Sequence, residues 1–219
     1  MICLADIKNN EEIKTYISLA DKALSALGYT EHSFAHVGIV SERAASILES
    51  LDTDERTIEL AKIAGYLHDI GNLANRVDHS QSGAIMAFKL LRDMKMDPLE
   101  IATIVSAIGN HDEGTGVPVD KVAASLILAD KSDVRRSRVR NSDPATFDIH
   151  DRVNYSVVES GLDINTDDRT VRLTLKIDTK TASIMDYFEI FLGRMTLCRR
   201  AANKLGLDFK LTINDQNFI

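Results

Sequence analysis

The chain has 219 residues, 44% of them hydrophobic and 27% charged, so it is long enough to bury a core and too apolar for a disordered chain. Its formal charge of −7 argues against a general polyanion-binding surface: no stable nucleic-acid partner is expected, and any anion site must be local. The longest apolar runs, such as Leu126-Ile127-Leu128-Ala129, fall far short of the roughly 18 residues that cross a bilayer, and the amino terminus lacks a basic segment followed by a long apolar run. A cytoplasmic protein with no membrane partner is expected. Cys3 and Cys198 lie almost at opposite ends and match no paired spacing, so neither a disulfide framework nor a zinc ribbon has support.

Taken in chain order, apolar spacing predicts helices over most of 11–134. Ile13, Ile17, Ala20 and Leu24 form a first stripe that ends at Gly28. Val37, Val40, Ala44, Ile47 and Leu48 mark a second helix over 33–51, and a third covers 55–68 and closes at Gly71, read as a positive-φ stop. A fourth covers 80–94, and a fifth opens at Asp97-Pro98 and reaches about residue 110. A sixth spans 119–134. Beyond Asn141-Ser142-Asp143-Pro144 the period changes to two. Residues 162–164 and 171–177 read as strands, 181–205 as a long helix ending at Gly206, and 209–213 as a last strand. The expected fold is mainly α, with a helical domain over 1–141 and a small α+β extension over 142–219. That extension is expected to hold about three antiparallel strands and one long helix, read as packing or a homodimer surface.

Five of the six histidines, His32, His36, His68, His79 and His111, fall close to predicted helix faces or ends. Imidazole and carboxylate are natural ligands for borderline transition metals, and a helical bundle can project them inward to one point. Asp130 follows the apolar run 126–129, where a buried charge requires a partner that neutralises it; a salt bridge or solvation at the helix exit would satisfy it equally. Directly after it, residues 131–140 hold five basic side chains in an otherwise acidic protein. Lys131 and Arg135 are the members read as receiving an anionic substrate, beside the alternative of a solvated basic helix end. Asp112 and Glu113 beside His111 read either as outer partners that orient an imidazole or as loop acids, and His150 as structural or exposed.

The string Gly65-Tyr66-Leu67-His68-Asp69-Ile70-Gly71, preceded by His36 and followed by Asp130, resembles the HD superfamily of metal-dependent phosphohydrolases, whose pattern is H…HD…D. His79-Ser80-Gln81-Ser82-Gly83-Ala84 is similar to the HxxxGA element of members with two or more metals. His111-Asp112-Glu113 with Gly114-Thr115-Gly116-Val117-Pro118 is similar to a shortened HHExxDGxGYP element of HD-GYP phosphodiesterases. Asn110 stands where those proteins pair a second histidine, and Asn72 where they carry lysine. The resemblance covers about half the chain. It implies an HD-domain helical bundle, one metal held by His36, His68, Asp69 and Asp130, and a second by Asp69, His79 and His111, with Asp69 bridging. His32 is an outer ligand, a proton donor or an exposed histidine.

The implied cofactors are two divalent transition-metal ions, Fe or Mn first, with Zn, Co or Ni also admitted. The implied reaction is hydrolysis of a nucleotide or other small phosphoester by a metal-activated hydroxide, with Asp69 and Lys131 as catalytic groups. Two alternatives stand beside it: a mixed-valent di-iron oxygenase built on the same scaffold, and a metal- or nucleotide-binding module without turnover.

Overall fold

The computed structural model describes residues 1–219. Seven helices come first: α1 (Leu4–Asn9), α2 (Glu11–Ala26), α3 (Phe34–Glu49), α4 (Glu55–Leu67), α5 (His79–Asp93), α6 (Pro98–Gly109) and α7 (Lys121–Lys131). They are followed by α8 (Ile149–Ser156), the strands β1 (Val157–Asn165) and β2 (Thr170–Ile177), the long helix α9 (Ile184–Lys204), and the strands β3 (Asp208–Ile213) and β4 (Gln216–Asn217). Short polar side chains set most of the helix starts. Asn10, Ser33, Asp54, Asp97, Asp120 and Asp148 each accept from backbone N–H groups of the first turn, and Ser183 with Asp186 forms a reciprocal capping box. No helix is long and apolar enough to cross a membrane.

Glycine decides where α3, α4 and α5 meet. A Cβ placed on Gly65 would lie 2.7 Å from Ser41 Cα, so only glycine lets α4 press its backbone onto α3 at this point. Gly71, expected to end its helix with a positive φ, instead lies in a 3-10 turn (Ile70–Leu73). Its role is close approach, because an added Cβ would fall 2.0 Å from His79 O and 2.3 Å from Gly83 N at the start of α5. The true positive-φ glycines are Gly28 and Gly206, after α2 and α9.

Helices α1 and α8 lie where no helix was expected, and both are short. The last bundle helix stops at Lys131 rather than 134, with Ser132 turning its side chain back to Ala129 O. The sheet has four strands in the order β1-β2-β3-β4, not three antiparallel ones. β1 and β2 pair antiparallel, as do β3 and β4, but β3 runs parallel to β2, with Leu173 opposite Leu211. Helix α9 carries the chain back across the sheet, so β3 enters from the same end as β2. One continuous core runs through both parts of the chain: Leu126 and Leu128 of α7, Leu197 and Ala201 of α9, and Leu173 and Leu211 of the sheet belong to it.

Candidate metal centre and its cavity

The buried interior of the bundle gathers side chains from five places in the chain. His36 is on the first turn of α3, His68 and Asp69 end α4, His79 opens α5, His111 follows α6, and Asp130 lies one residue before the end of α7. His36, His68, Asp69, His79 and His111 are all buried. Asp69 Oδ2 lies 3.5 Å from His36 Nε2 and 3.2 Å from His68 Nε2. Asp130 Oδ1 lies 3.4 and 3.6 Å from the same two nitrogens. The other oxygen of Asp69 faces a second set: Oδ1 is 3.6 Å from His79 Nε2, which is 3.2 Å from His111 Nε2.

The tautomers follow from the outer nitrogens. Nδ1 of His68 donates to Gly65 O at 2.8 Å, that of His79 to Arg76 O at 3.1 Å, and that of His111 to Ile108 O at 2.6 Å. His36 Nδ1 meets the Asp133 carboxylate at 2.7 Å. A carbonyl or carboxylate oxygen can only accept here, so each ring carries its proton outward and turns an Nε2 lone pair inward. Nε2 of His36 and of His68 is buried with no hydrogen-bond partner. With the rings neutral, the centre is built from acceptors facing acceptors, which repel one another unless a metal ion or a proton on Nε2 lies between them.

The spacing suits a metal. Ligands about 2.05 Å from an ion at tetrahedral angles are about 3.3 Å apart, close to the separations within each set. His36, His68 and Asp130 converge within 4.8 Å, as do His68, Asp69 and His111, so the two sets adjoin. Burial alone would raise the carboxyls of Asp69 and Asp130. Protonated His68 for the first, and Lys131 ahead of the imidazoles for the second, outweigh it and hold both well below the ordinary range. The same two carboxylates push His68 up to about 10, so that without an ion a proton on the imidazoles takes the place of a metal. Burial pushes His111 and His79 toward the neutral, ligating form.

Other polar groups hold these ligands. Asn72 Nδ2 donates to Asp69 Oδ1 at 2.8 Å, fixing the carboxylate plane. Lys131, expected to receive substrate, has a side chain only 5% exposed, with Nζ 2.8 Å from Asp130 Oδ2 and 2.7 Å from Glu113 Oε2. Arg194 of α9 donates from Nε to Glu113 Oε1 at 3.0 Å, so a chain of charges links the C-terminal helix to Asp130. Arg135 pairs with Asp133 Oδ1 and Glu31 Oε2, each at 2.9 Å, which turns its guanidinium onto protein carboxylates instead of an open site. Asp112 Oδ2 accepts from Gly114 N at 3.1 Å; the outer partner of His111 is Ile108 O, not this carboxylate.

A cavity of about 500 Å³ opens beside the centre. His32 lines it, with its ring 5.5 Å from that of His36 and its Nδ1 2.7 Å from Thr30 O. Arg76 lines it too, with Nη1 4.0 Å from Asp69 Oδ1. Arg138, Glu113 and Arg194 line it as well, and α8 contributes His150, Asp151 and Asn154. Arg135 is not among the lining residues. His150, read from the sequence as structural or exposed and here exposed, and α9, read as packing or a homodimer surface, both line the cavity. Arg76 and Arg194 gave no signal, because both lie outside the histidine and aspartate pattern and reach the site only through the fold.

Residues 33–135 match the family model described as HD domain. At 24% identity over 158 residues the chain aligns with the uncharacterized protein MJ1020 of Methanocaldococcus jannaschii, a match spanning 62% of this chain and 60% of that relative. Among solved structures it is similar to a crystal structure described as a predicted HD superfamily hydrolase from an uncultured Thermotogales bacterium, with 24% identity, a TM-score of 0.43 and coverage of 61% of this chain and 75% of that one. Those residues hold His36, the His68-Asp69 pair and Asp130 in the order H…HD…D, so residues 33–135 carry an HD domain.

Proposed function

We propose that the protein is a metal-dependent phosphohydrolase that cleaves a small phosphoester at a dinuclear centre. The observation that carries this reading is Asp69, whose two oxygens face separate pairs of buried imidazole nitrogens, Oδ2 those of His36 and His68 and Oδ1 that of His79 beside His111. His36, His68, Asp69 and Asp130 would hold one ion, and Asp69, His79 and His111 the other. When bound, such a pair supplies Lewis-acid activation of water and neutralises charge on a phosphoryl group. Of the chain's own groups, Arg76 and Arg194 line the cavity next to the centre and present guanidinium donors suited to phosphate oxygens. Burial lowers the His32 imidazole well below its usual value, so the ring is neutral. With Nδ1 bound to Thr30 O, its Nε2 is free to accept a hydrogen bond from water or a substrate hydroxyl.

The test is phosphate release from a phosphoester panel by protein loaded with Mn(II) or Fe(II), run with and without dioxygen. The reading expects turnover without dioxygen and its abolition in Asp69→Ala together with metal loading. Turnover that requires dioxygen and releases no phosphate would replace hydrolysis with oxygenation. Metal loading that raises the melting temperature with no turnover of any substrate would favour a binding module.

A further inference from the structure

We infer that the cavity selects a short, hydroxyl-rich phosphomonoester, a sugar or polyol phosphate, over a nucleotide; the inference rests on the phosphohydrolase reading and names its substrate class. The first support is the state of the aromatic rings. Phe191 is 1% exposed, and its ring carries the Arg194 guanidinium 4.3 Å from the centroid. Tyr29 carries Arg76 at 5.9 Å. A nucleobase binds by laying its flat face on an aromatic one. Here the Phe191 ring is buried beneath Arg194, and the exposed Tyr29 ring carries the Arg76 guanidinium near one face, so neither offers a sandwich for a base inside the cavity.

The second support is the lining from α8. Asp148, Asp151 and Asn154 line the cavity at i, i+3 and i+6, which sets them in a row along one side of α8 and its cap. Their bonds to protein leave each one oxygen over. Asp148 Oδ1 accepts from Asp151 N at 2.8 Å, Asp151 Oδ2 accepts from Asn141 Nδ2 at 3.4 Å, and Asn154 gives its Nδ2 to His150 O at 2.9 Å. Asn154 is only 6% exposed and Asp151 8%, so their remaining oxygens reach solvent through the cavity they line, where a ligand hydroxyl can replace water as the donor. Ligand hydroxyls supply such donors, and neighbouring hydroxyls fit the planar pairs of oxygens on carboxylate and amide. A second phosphate at this end would meet two carboxylates, which disfavours diphosphates. Among the lining residues only Leu27, Tyr29 and Phe191 are hydrophobic, so an alkyl or acyl tail has no matching surface.

The experiment uses the full chain loaded with Mn(II). It compares kcat/KM for glycerol, hexose and inositol monophosphates with that for nucleoside 5′-monophosphates and phosphoethanolamine, with p-nitrophenyl phosphate as the generic ester. Isothermal titration calorimetry of the same ligands runs in parallel. Sugar or polyol phosphates should exceed nucleotides by about tenfold or more, and Asn154→Leu and Asp151→Asn should each raise their KM about tenfold with kcat little changed, the loss expected for one buried hydrogen bond. The isosteric Asp151→Asn keeps the comparison valid if Asn154→Leu does not fold. Equal or better turnover of a nucleotide or of phosphoethanolamine overturns the inference, as does an unchanged KM in folded variants. Tight binding of a sugar phosphate with no ester of any kind cleaved overturns only the phosphohydrolase reading. Cleavage of p-nitrophenyl phosphate with no binding of sugar or polyol phosphates overturns only the inference.

Discussion

The outward hydrogen bond of each imidazole is what turns four ordinary histidines into a centre. Asp133 is the most exposed to test, because it is the only carboxylate among those outer partners and faces His36 Nδ1 at 2.7 Å. Asp133→Asn should leave the fold intact and weaken divalent metal binding about 10- to 100-fold, the usual effect of losing such a partner, read by calorimetry with Mn(II). Glu113 gives a prediction in pH. Burial alone would raise its carboxyl, but Lys131 and then Arg194 outweigh that and depress it strongly below its ordinary 4.5. A depressed carboxyl contributes stability that is fully present above the ordinary value and is lost as pH falls below it. Between about pH 6 and pH 3 the melting temperature of Glu113→Gln should therefore fall less steeply than that of the parent chain, from a lower starting point near neutrality. Of the six candidate ligands, His68, Asp69 and His79 were legible in strings with fixed spacing to Gly71 and Gly83, His111 in a string of its own, and His36 and Asp130 from their place before and after the His68-Asp69 pair. Arg76, Arg194 and Asn154 were not, since what they share is a cavity wall and no local spacing reports it.

At the level of elements, the site depends on how closely α3, α4 and α5 approach. Gly65 sets the first approach, and Gly65→Ala would force its Cβ to 2.7 Å from the Ser41 backbone. An overpacked contact of this kind costs about 1–3 kcal/mol, so the melting temperature should drop by roughly 2–10 °C in a chain of this size. An unchanged melting temperature would mean that α4 can move off α3 without loss. Helices α2 to α7 were readable because each carries three or more turns of apolar stripe and all but α5 a side-chain cap. Helix α1, with six residues, and α8, with eight, are too short for a stripe to stand out from chance, and each is held by tertiary contact. That explains why the α8 wall of the cavity was invisible. The parallel pairing of β2 with β3 was hidden for another reason: alternation reports which face of a strand is buried and carries no information about its direction.

For the whole molecule, the acidic balance of −7 coexists with a cavity that three arginines and three carboxylates line together. The C-terminal part supplies Arg194 and the α8 residues of the cavity lining and a share of the common core, so it is packed into the same body as the helical part. The helical class and its α+β extension could be read from periodicity alone, whereas the joint made by Arg194, Glu113, Lys131 and Asp130 spans three distant segments and required the fold. The account stands on two ions sharing Asp69. Metal content per chain, measured by plasma mass spectrometry on protein equilibrated with Mn(II) or Fe(II), tests it most directly. Two ions are expected for the parent chain and one for His79→Ala and for His111→Ala, with the first set of ligands still filled. A single ion in the parent chain, or a content that neither substitution changes, would contradict it.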